Sequence, residues 1–195
     1  MRISEAKLLP GDCIMVKGNS FFSKAILLLT SWHTKKALFS HVACYIGNGY
    51  CIEAVNRTKI TKLERFDNPK EILKVYRVPL SDEQRSNFVY ESYKITNRPY
   101  GWTKIPLFAL DAISTAICTA FGRETPIFFF TKTFSIFNIP VCSQLCVYLW
   151  HKVGFHLLSI KGAEISWRIV QPDYLDDLLI YPINSAEVIY KQNCT

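Results

Sequence analysis

Cys142 occupies the kind of position from which a cysteine acts as a nucleophile. Pro140 precedes an apolar run with helical spacing and Gly154 follows it, so the sequence predicts a helix over residues 141–153. At the start of a helix the unpaired backbone N–H groups and the dipole favour a thiolate, and the same amides, that of Cys142 included, can hold an oxyanion. Cys146, one turn further on, is expected to be buried by the apolar face of this helix. The competing interpretation of Cys142 is a small buried apolar residue.

A nucleophilic cysteine needs a histidine to accept its proton, and His41 is the best placed of the four histidines. It begins a strand predicted over residues 41–46, a run rich in β-branched and aromatic residues. His151 follows Cys142 by nine residues, more than two helical turns, and therefore cannot touch that thiol. The alternative for His41 is a hydrogen-bonded core residue, which is the commoner role of a strand histidine.

Glu53, on the next predicted strand, is the candidate to orient His41, and the hairpin register decides whether it can. A two-residue loop pairs Cys44 with Glu53 and leaves His41 on the opposite face of the sheet. A three-residue loop, Gly47-Asn48-Gly49, pairs Ala43 with Glu53 and makes His41 a diagonal neighbour on the same face. The sequence leaves both registers open.

The elements that must position these residues form an α+β pattern, in which strands come first and helices lie around and after them. The turn pair Pro10-Gly11 introduces the first strand, and Ser81-Asp82-Glu83-Gln84 has the pattern of a capping box. We expect an antiparallel sheet of about five or six strands packed against helices. The predicted strands cover residues 12–17, 41–46, 50–55, 57–62, 72–78 and 187–190, and the predicted helices cover 21–32, 81–96, 141–153 and a short segment from 171.

The composition indicates one globular domain. The 195 residues are 49% apolar and 20% charged, which excludes a disordered or collagen-like chain and suffices for a sizeable core. We expect a single domain over residues 1–195 with an apolar helical insertion at about 103–138. The closest approach to a membrane span, residues 105–121, carries Asp111 and is slightly short, and a second apolar run over 126–141 is interrupted by polar residues and a proline.

The cysteine count and the N-terminus indicate a reduced, cytoplasmic protein. Seven is an odd number, which excludes a fully paired set of intramolecular disulfides, and the first residues lack the apolar run of a secretory signal. The six cysteines other than Cys142 are expected to be core or surface thiols. Cys142 and Cys146 are spaced to share a metal ion, but no further pair at zinc-ribbon spacing accompanies them, so we expect no metal and no cofactor.

The charge is unevenly distributed along the chain. The formal net charge is +7, with 16 basic and 9 acidic side chains in residues 1–100 but 7 of each in 101–195. The densest basic stretch, residues 57–77, carries no RNA-binding aromatic motif, zinc finger or helix-turn-helix pattern, so nucleic acid is not the favoured partner. The two remaining interpretations are a solvated face of mixed charge and a surface that attracts an anionic substrate or lipid.

Several motifs occur in an order that resembles a known family. They are Gly11-Asp12-Cys13-Ile14, the strand and turn from Ser40 to Gly49, Ile52-Glu53-Ala54, Arg98-Pro99-Tyr100-Gly101 and Cys142-Ser143-Gln144-Leu145. The set is similar to the circularly permuted, YiiX/YaeF-like branch of the NlpC/p60 papain-like cysteine hydrolases, and more distantly to lecithin retinol acyltransferase. The resemblance extends over residues 9–175. It implies a permuted papain-like (NlpC/p60) fold with Cys142 as nucleophile, His41 as general base and acid, and Glu53 as the residue that orients His41.

These residues and the resemblance imply a cysteine hydrolase that cleaves an amide or peptide bond through an acyl-enzyme on Cys142. The alternatives are an acyltransferase that uses the same thioester and a non-catalytic binding or structural module that retains the fold. The basic first half favours an anionic small peptide, acyl-amino acid or lipid-like substrate. Apolar residues between 105 and 141 can form an acyl pocket or a peripheral contact with a membrane surface.

Overall fold

The computed structural model describes residues 2–18, 23–24, 27, 38–68, 70–100, 107, 110–111, 113–114, 117–118, 121, 141–159 and 161–194. Within these ranges the chain is an α+β protein, as expected, in which a six-stranded antiparallel sheet packs against helices. The order across the sheet is β4-β3-β2-β1-β5-β6, and the bounds lie within two residues of the predicted ones. The strands are β1 (Cys13–Lys17), β2 (His41–Gly47), β3 (Tyr50–Ala54), β4 (Thr58–Lys62), β5 (Ile72–Arg77) and β6 (Glu187–Gln192).

Three α-helices are described from end to end. The first, α1 (Asp82–Lys94), begins with the predicted capping box, in which Ser81 Oγ accepts from Gln84 N at 3.2 Å and Ser81 N donates to Gln84 Oε1 at 2.9 Å. The second, α2 (Cys142–Lys152), lies within the predicted range, and α3 (Pro172–Ile180) has a proline in its first turn. Short 3-10 helices cover Ile3–Glu5, Leu63–Phe66, Trp167–Ile169 and Pro182–Asn184.

Side chains alternate across β2 and divide the core between the two faces of the sheet. Val42 and Cys44 belong to the larger buried cluster, which includes Leu149 of α2. Ala43 belongs to the cluster on the opposite face, together with Leu63 at the start of a 3-10 helix. Both faces of the sheet are therefore covered, and α2 lies against the face that carries Val42.

Polar side chains fix α2 along its length. Ser143 Oγ donates to Val170 O at 2.7 Å, and Gln144 Nε2 donates to Arg168 O at 2.6 Å. Near the other end of the helix, the buried Trp150 Nε1 donates to Gly11 O at 3.0 Å. Because buried side-chain donors of this kind are costly to leave unpaired, these bonds hold both ends of α2 in place.

Cys44 of β2 and Cys146 of α2 form a disulfide, with their Cα atoms 6.1 Å apart. The expectation that both are thiols was wrong for this pair, because packing of α2 on β2 brings together two residues that are 102 positions apart in the chain. The bond joins the strand that begins with His41 to the helix that begins with Cys142.

Two predicted segments fall largely where the structure gives no description. The helix expected at 21–32 and most of the insertion expected at 103–138 lie outside the described residues. Among the residues that are described, no helix has the length and apolar character needed to cross a membrane.

Candidate active site

The register of the β2–β3 hairpin places His41 and Glu53 on one face of the sheet. The turn has only two residues, Asn48-Gly49, with positive φ angles of 52° and 77°, a conformation that suits an Asn-Gly pair. A bulge just before Gly47 adds one residue to β2, and Ala43 therefore pairs with Glu53. The turn has two residues, as in the first register considered from the sequence. The pairing of Ala43 with Glu53, however, is that of the register with a three-residue loop.

His41 is hydrogen-bonded to Glu53 through one ring nitrogen. Nε2 of His41 lies 2.8 Å from Oε2 of Glu53, whose side chain is fully buried, whereas the histidine keeps 17% of its side chain exposed. Because the carboxylate holds Nε2, Nδ1 is the nitrogen available to a nucleophile. A carboxylate in this position fixes the ring orientation and stabilises the imidazolium form.

The other carboxylate oxygen of Glu53 forms ion pairs with two basic side chains. Arg65, in the 3-10 helix after β4, donates to Oε1 of Glu53, and Nζ of Lys59 lies 3.5 Å from the same oxygen. Lys59 is the direct partner of Glu53 in the β3–β4 ladder and so projects from the same face. Both cations stabilise a negative charge that burial disfavours. Sequence reasoning placed them in the basic stretch 57–77 without connecting them to the site.

Cys142 is the first residue of α2, and its sulfur meets the side chain of His41. Only 3% of Cys142 is exposed, and this burial raises the pKa of the thiol. The hydrogen bond and charge of His41, with the backbone N–H groups of Val42 and Ser143, act in the opposite direction and prevail, so the pKa of Cys142 is lower than that of an ordinary thiol. The structure thus brings Cys142, His41 and Glu53 into one chain of contacts.

The position of His41 at the end of its strand explains how it meets a cysteine on the helix side of the sheet. Val42 faces α2, so the alternation of β2 directs His41 toward the other face. His41 is the first residue of β2, however, so the strand does not extend beyond it on that side. Its ring can therefore contact Cys142 around the end of the strand while it also contacts Glu53.

Tyr100 is a further side chain at the nucleophile. Pro99 forms an antiparallel bridge with Arg57, and Tyr100 N donates to Asn56 O at 3.2 Å. The Tyr100 hydroxyl is in hydrogen-bond contact with both the side chain and the backbone amide of Cys142. Burial, and then the nearby Cys142, raise the pKa of Tyr100, so the phenol is a neutral hydrogen-bond donor.

The amide of Cys142 and the hydroxyl of Tyr100 together form a candidate oxyanion site. Both groups can donate a hydrogen bond, and they lie beside the sulfur. Sequence reasoning identified the amide, but Tyr100 entered only as part of the motif at 98–101, with no role. Its contact with Cys142 depends on the backbone bridge to residue 57, which no local pattern in the sequence signals.

Other buried cysteines lie in environments that suppress ionisation. Burial raises the pKa of Cys51 to about 12. Burial, followed by the charge of Asp176, raises the pKa of Cys13 well above its ordinary value. Burial is common to these two residues and Cys142, so the histidine and the backbone donors are what distinguish Cys142.

Comparisons with known proteins give similarity to solved structures. No family model matches the chain, and no curated protein matches it. Among solved structures, the chain is similar to the crystal structure of the metalloprotein yiiX from Escherichia coli O157:H7. The two share 18% sequence identity over 94% of this chain and 88% of that chain, with a TM-score of 0.49.

Proposed function

We propose that the protein is a cysteine hydrolase that cleaves an amide or peptide bond through an acyl-enzyme on Cys142. The observation that carries this proposal is the continuous chain of contacts from Cys142 through His41 to Glu53. A thiol activated by a histidine, with that histidine oriented by a third group, is the arrangement that nucleophilic catalysis requires.

The first half of the reaction forms a thioester. The Cys142 thiolate attacks the carbonyl carbon, and the displaced electron pair moves onto the carbonyl oxygen, which accepts hydrogen bonds from the Cys142 amide and the Tyr100 hydroxyl. The imidazolium of His41 then gives its Nδ1 proton to the leaving nitrogen as the carbon–nitrogen bond breaks. Glu53 holds Nε2 and keeps the ring in place.

The second half releases the acid. Neutral His41 takes a proton from a water molecule at Nδ1, and the resulting hydroxide attacks the thioester carbon. The carbon–sulfur bond breaks, and its electron pair returns to the sulfur of Cys142. The thiolate and the imidazolium are thereby restored together, as they were before the first attack.

We propose that this α+β fold has the permuted papain-like (NlpC/p60) arrangement. Two features support the assignment. The histidine strand β2 precedes the cysteine helix α2 in the chain, which is the order expected of the permuted branch. The helix also packs on the sheet beside that strand, so that the nucleophile at its first residue faces the start of β2.

An anionic substrate is proposed from the charges near Tyr100. Arg57 forms the bridge with Pro99 next to this tyrosine, Arg98 precedes Pro99 in the chain, and both arginines are exposed. Lys59 and Arg65 also keep 44% and 45% of their side chains exposed while they contact Glu53. Such a group of cations would attract the carboxylate of a peptide or an acyl-amino acid.

The second candidate function is an acyltransferase that uses the same thioester. Exposed apolar side chains in the described part of the insertion favour it, because they could contact an acyl chain or a membrane surface. Product analysis separates the two functions, since a transferase yields an acylated acceptor and a hydrolase yields the free acid. The exposed residues are Leu110, Ile113, Ile117 and Phe121, spaced as on one face of a helix.

Turnover by Cys142→Ala tests the proposed function. Wild type is assayed against a panel of small peptides and acyl-amino acid amides, and every substrate that it cleaves is given to the variant. We expect no detectable turnover by Cys142→Ala, because the variant lacks the sulfur that is proposed to form the thioester. Cys194→Ala, at a half-buried cysteine of the C-terminal segment, is the matched control and should keep wild-type activity. Full turnover by Cys142→Ala would overturn the assignment.

A further inference from the structure

The far end of α2 carries three side chains with metal-ligating atoms that the proposed reaction does not use. His151 lies in the last turn of α2, and His156 and Glu164 follow in the next segment. Nδ1 of His151 lies 3.1 Å from Nδ1 of His156, and Oε1 of Glu164 lies 3.5 Å and 2.8 Å from those two nitrogens. Three donor atoms therefore converge on one another.

Backbone structure holds the two histidines together. The φ of Gly154 is 82°, in the left-handed region that ends a helix. Gly154 N donates to His151 O at 3.1 Å and Phe155 N donates to Trp150 O at 2.9 Å, so the chain reverses immediately after α2. This reversal brings His156 back against the last turn of the helix.

Glu164 is placed by a second set of contacts. It forms an antiparallel bridge with Leu158. The buried Asn184 accepts from Leu158 N at 2.8 Å and donates to Leu158 O at 3.0 Å. These two hydrogen bonds fix the backbone of Leu158, the residue that forms the bridge with Glu164. The positions of all three donors thus follow from backbone structure.

We propose that His151, His156 and Glu164 form a binding site for a transition-metal ion of the Zn²⁺ class. Zinc bonds to imidazole nitrogen and carboxylate oxygen at about 2.0–2.2 Å, which in a tetrahedral site separates neighbouring donor atoms by about 3.3–3.6 Å. The separations here, 2.8–3.5 Å, need only small side-chain adjustments to reach that range. Two histidines and one carboxylate are also a ligand set that zinc uses with an open fourth position.

Hydrogen bonding alone accounts less well for this convergence. A proton is shared by two atoms, whereas a metal ion accepts a lone pair from each of three donors at once. The side chains of His151, His156 and Glu164 are 45%, 38% and 52% exposed, so water can fill the remaining coordination positions. A cation here would also interact favourably with the C-terminal end of the α2 dipole.

This site is separate from the proposed catalytic one. His151 follows Cys142 by nine positions along the helix, which corresponds to about 13 Å along the axis. An ion at the far end cannot contact the thiol, so it would tie the end of α2 to the segment that carries Glu164. The inference therefore does not depend on the proposed hydrolase activity.

Zinc titration of a tag-free protein tests the site. The titration uses Cys142→Ala as the background, because a thiolate beside His41 and Glu53 is a competing zinc ligand set. We expect one Zn²⁺ per chain by calorimetry, and Co²⁺ in place of Zn²⁺ should give the visible absorption of a low-symmetry site. Adding His151→Ala or His156→Ala should weaken zinc binding by at least about 100-fold, since even residues outside the first coordination sphere cost 10- to 100-fold.

Matched acidic variants complete the test. Glu164→Gln should weaken zinc binding, whereas Glu187→Gln, at an exposed carboxylate of β6, should leave it unchanged. Circular dichroism of each metal-free variant checks that the fold is retained. No zinc uptake by the Cys142→Ala protein, or uptake that survives loss of His151 and His156, would overturn the proposal.

Discussion

At Cys142, burial and the surrounding hydrogen-bond donors act on the thiol in opposite directions. Cys51 shows what burial alone does in this protein, where it raises the thiol pKa to about 12. At Cys142 the burial is similar, yet the pKa is lowered, because His41 and the backbone N–H groups of Val42 and Ser143 stabilise the thiolate. The reactivity of Cys142 is therefore a property of its neighbours.

The pH dependence of alkylation should reveal this environment. Because the pKa of Cys142 is lowered, its reaction with iodoacetamide should persist to a lower pH than that of an ordinary thiol. His41→Ala removes the hydrogen bond and the charge that oppose burial, so the midpoint of the rate against pH should move upward. Peptide mass spectrometry between about pH 5 and pH 10 measures both, with Cys142→Ala as the blank. An unchanged midpoint in His41→Ala would contradict the contact between the two side chains.

Tyr100 should matter for the chemical step more than for substrate binding. If its hydroxyl donates to the oxyanion, Tyr100→Phe removes one donor and should lower kcat by about 100-fold while KM changes little. Tyr93→Phe, at an exposed tyrosine of α1, is the matched control and should behave as wild type. Equal kcat values for Tyr100→Phe and wild type would remove Tyr100 from the reaction.

At the scale of elements, patterns over a few residues predicted the strands, turns and helix starts that depend on interactions between near neighbours in the chain. Runs of β-branched and aromatic residues around the turn Gly47-Asn48-Gly49 identified β2 and β3, and the capping box at Ser81 identified the start of α1. These signals depend on neighbours within a few residues. They also sufficed to nominate His41 and Glu53 as a pair, although not to choose the register.

Features that depend on tertiary packing were not predictable in the same way. A single bulge before Gly47 sets the parity of the hairpin, and the sequence is compatible with its absence. The contact of Tyr100 with Cys142 and that of Arg65 with Glu53 join separate segments of the chain. Such contacts follow from how the elements pack, which hydrophobic periodicity does not specify.

The disulfide between β2 and α2 should contribute to stability. It closes a loop of 102 residues, for which the chain-entropy model gives up to about 4–5 kcal/mol. We expect the urea midpoint of the wild type to fall when a reductant is added. A Cys44→Ala/Cys146→Ala variant should show no such response. Equal midpoints with and without reductant, or seven free thiols instead of five by intact mass in the oxidised wild type, would contradict this pairing.

At the scale of the whole molecule, the sheet places the reactive groups at the end of a central strand. β2 lies between β1 and β3, with a buried cluster on each face. The cysteine comes from the helix side, whereas Glu53 and its cationic partners belong to the other side. His41, at the strand end, is the residue that can touch both.

The excess of positive charge in residues 1–100 should make the reaction sensitive to salt. For an anionic substrate, we expect kcat/KM to fall by about fivefold between low and high ionic strength, because screening weakens attraction between exposed charges. A neutral analogue should show little change, and an Arg57→Gln/Arg98→Gln variant should show a smaller fall for the anionic substrate. Identical salt dependence for both substrates would argue against an anionic partner.

Intact-mass analysis with an activated acyl ester tests the central claim most directly. The ester is added to wild type, His41→Ala and Cys142→Ala, and the reaction is quenched in acid to preserve thioesters. We predict one acyl group on wild type, located on Cys142, much less on His41→Ala and none at that position in Cys142→Ala. Equal acylation of wild type and His41→Ala, or an acyl group on a different residue of the wild type, would contradict the account.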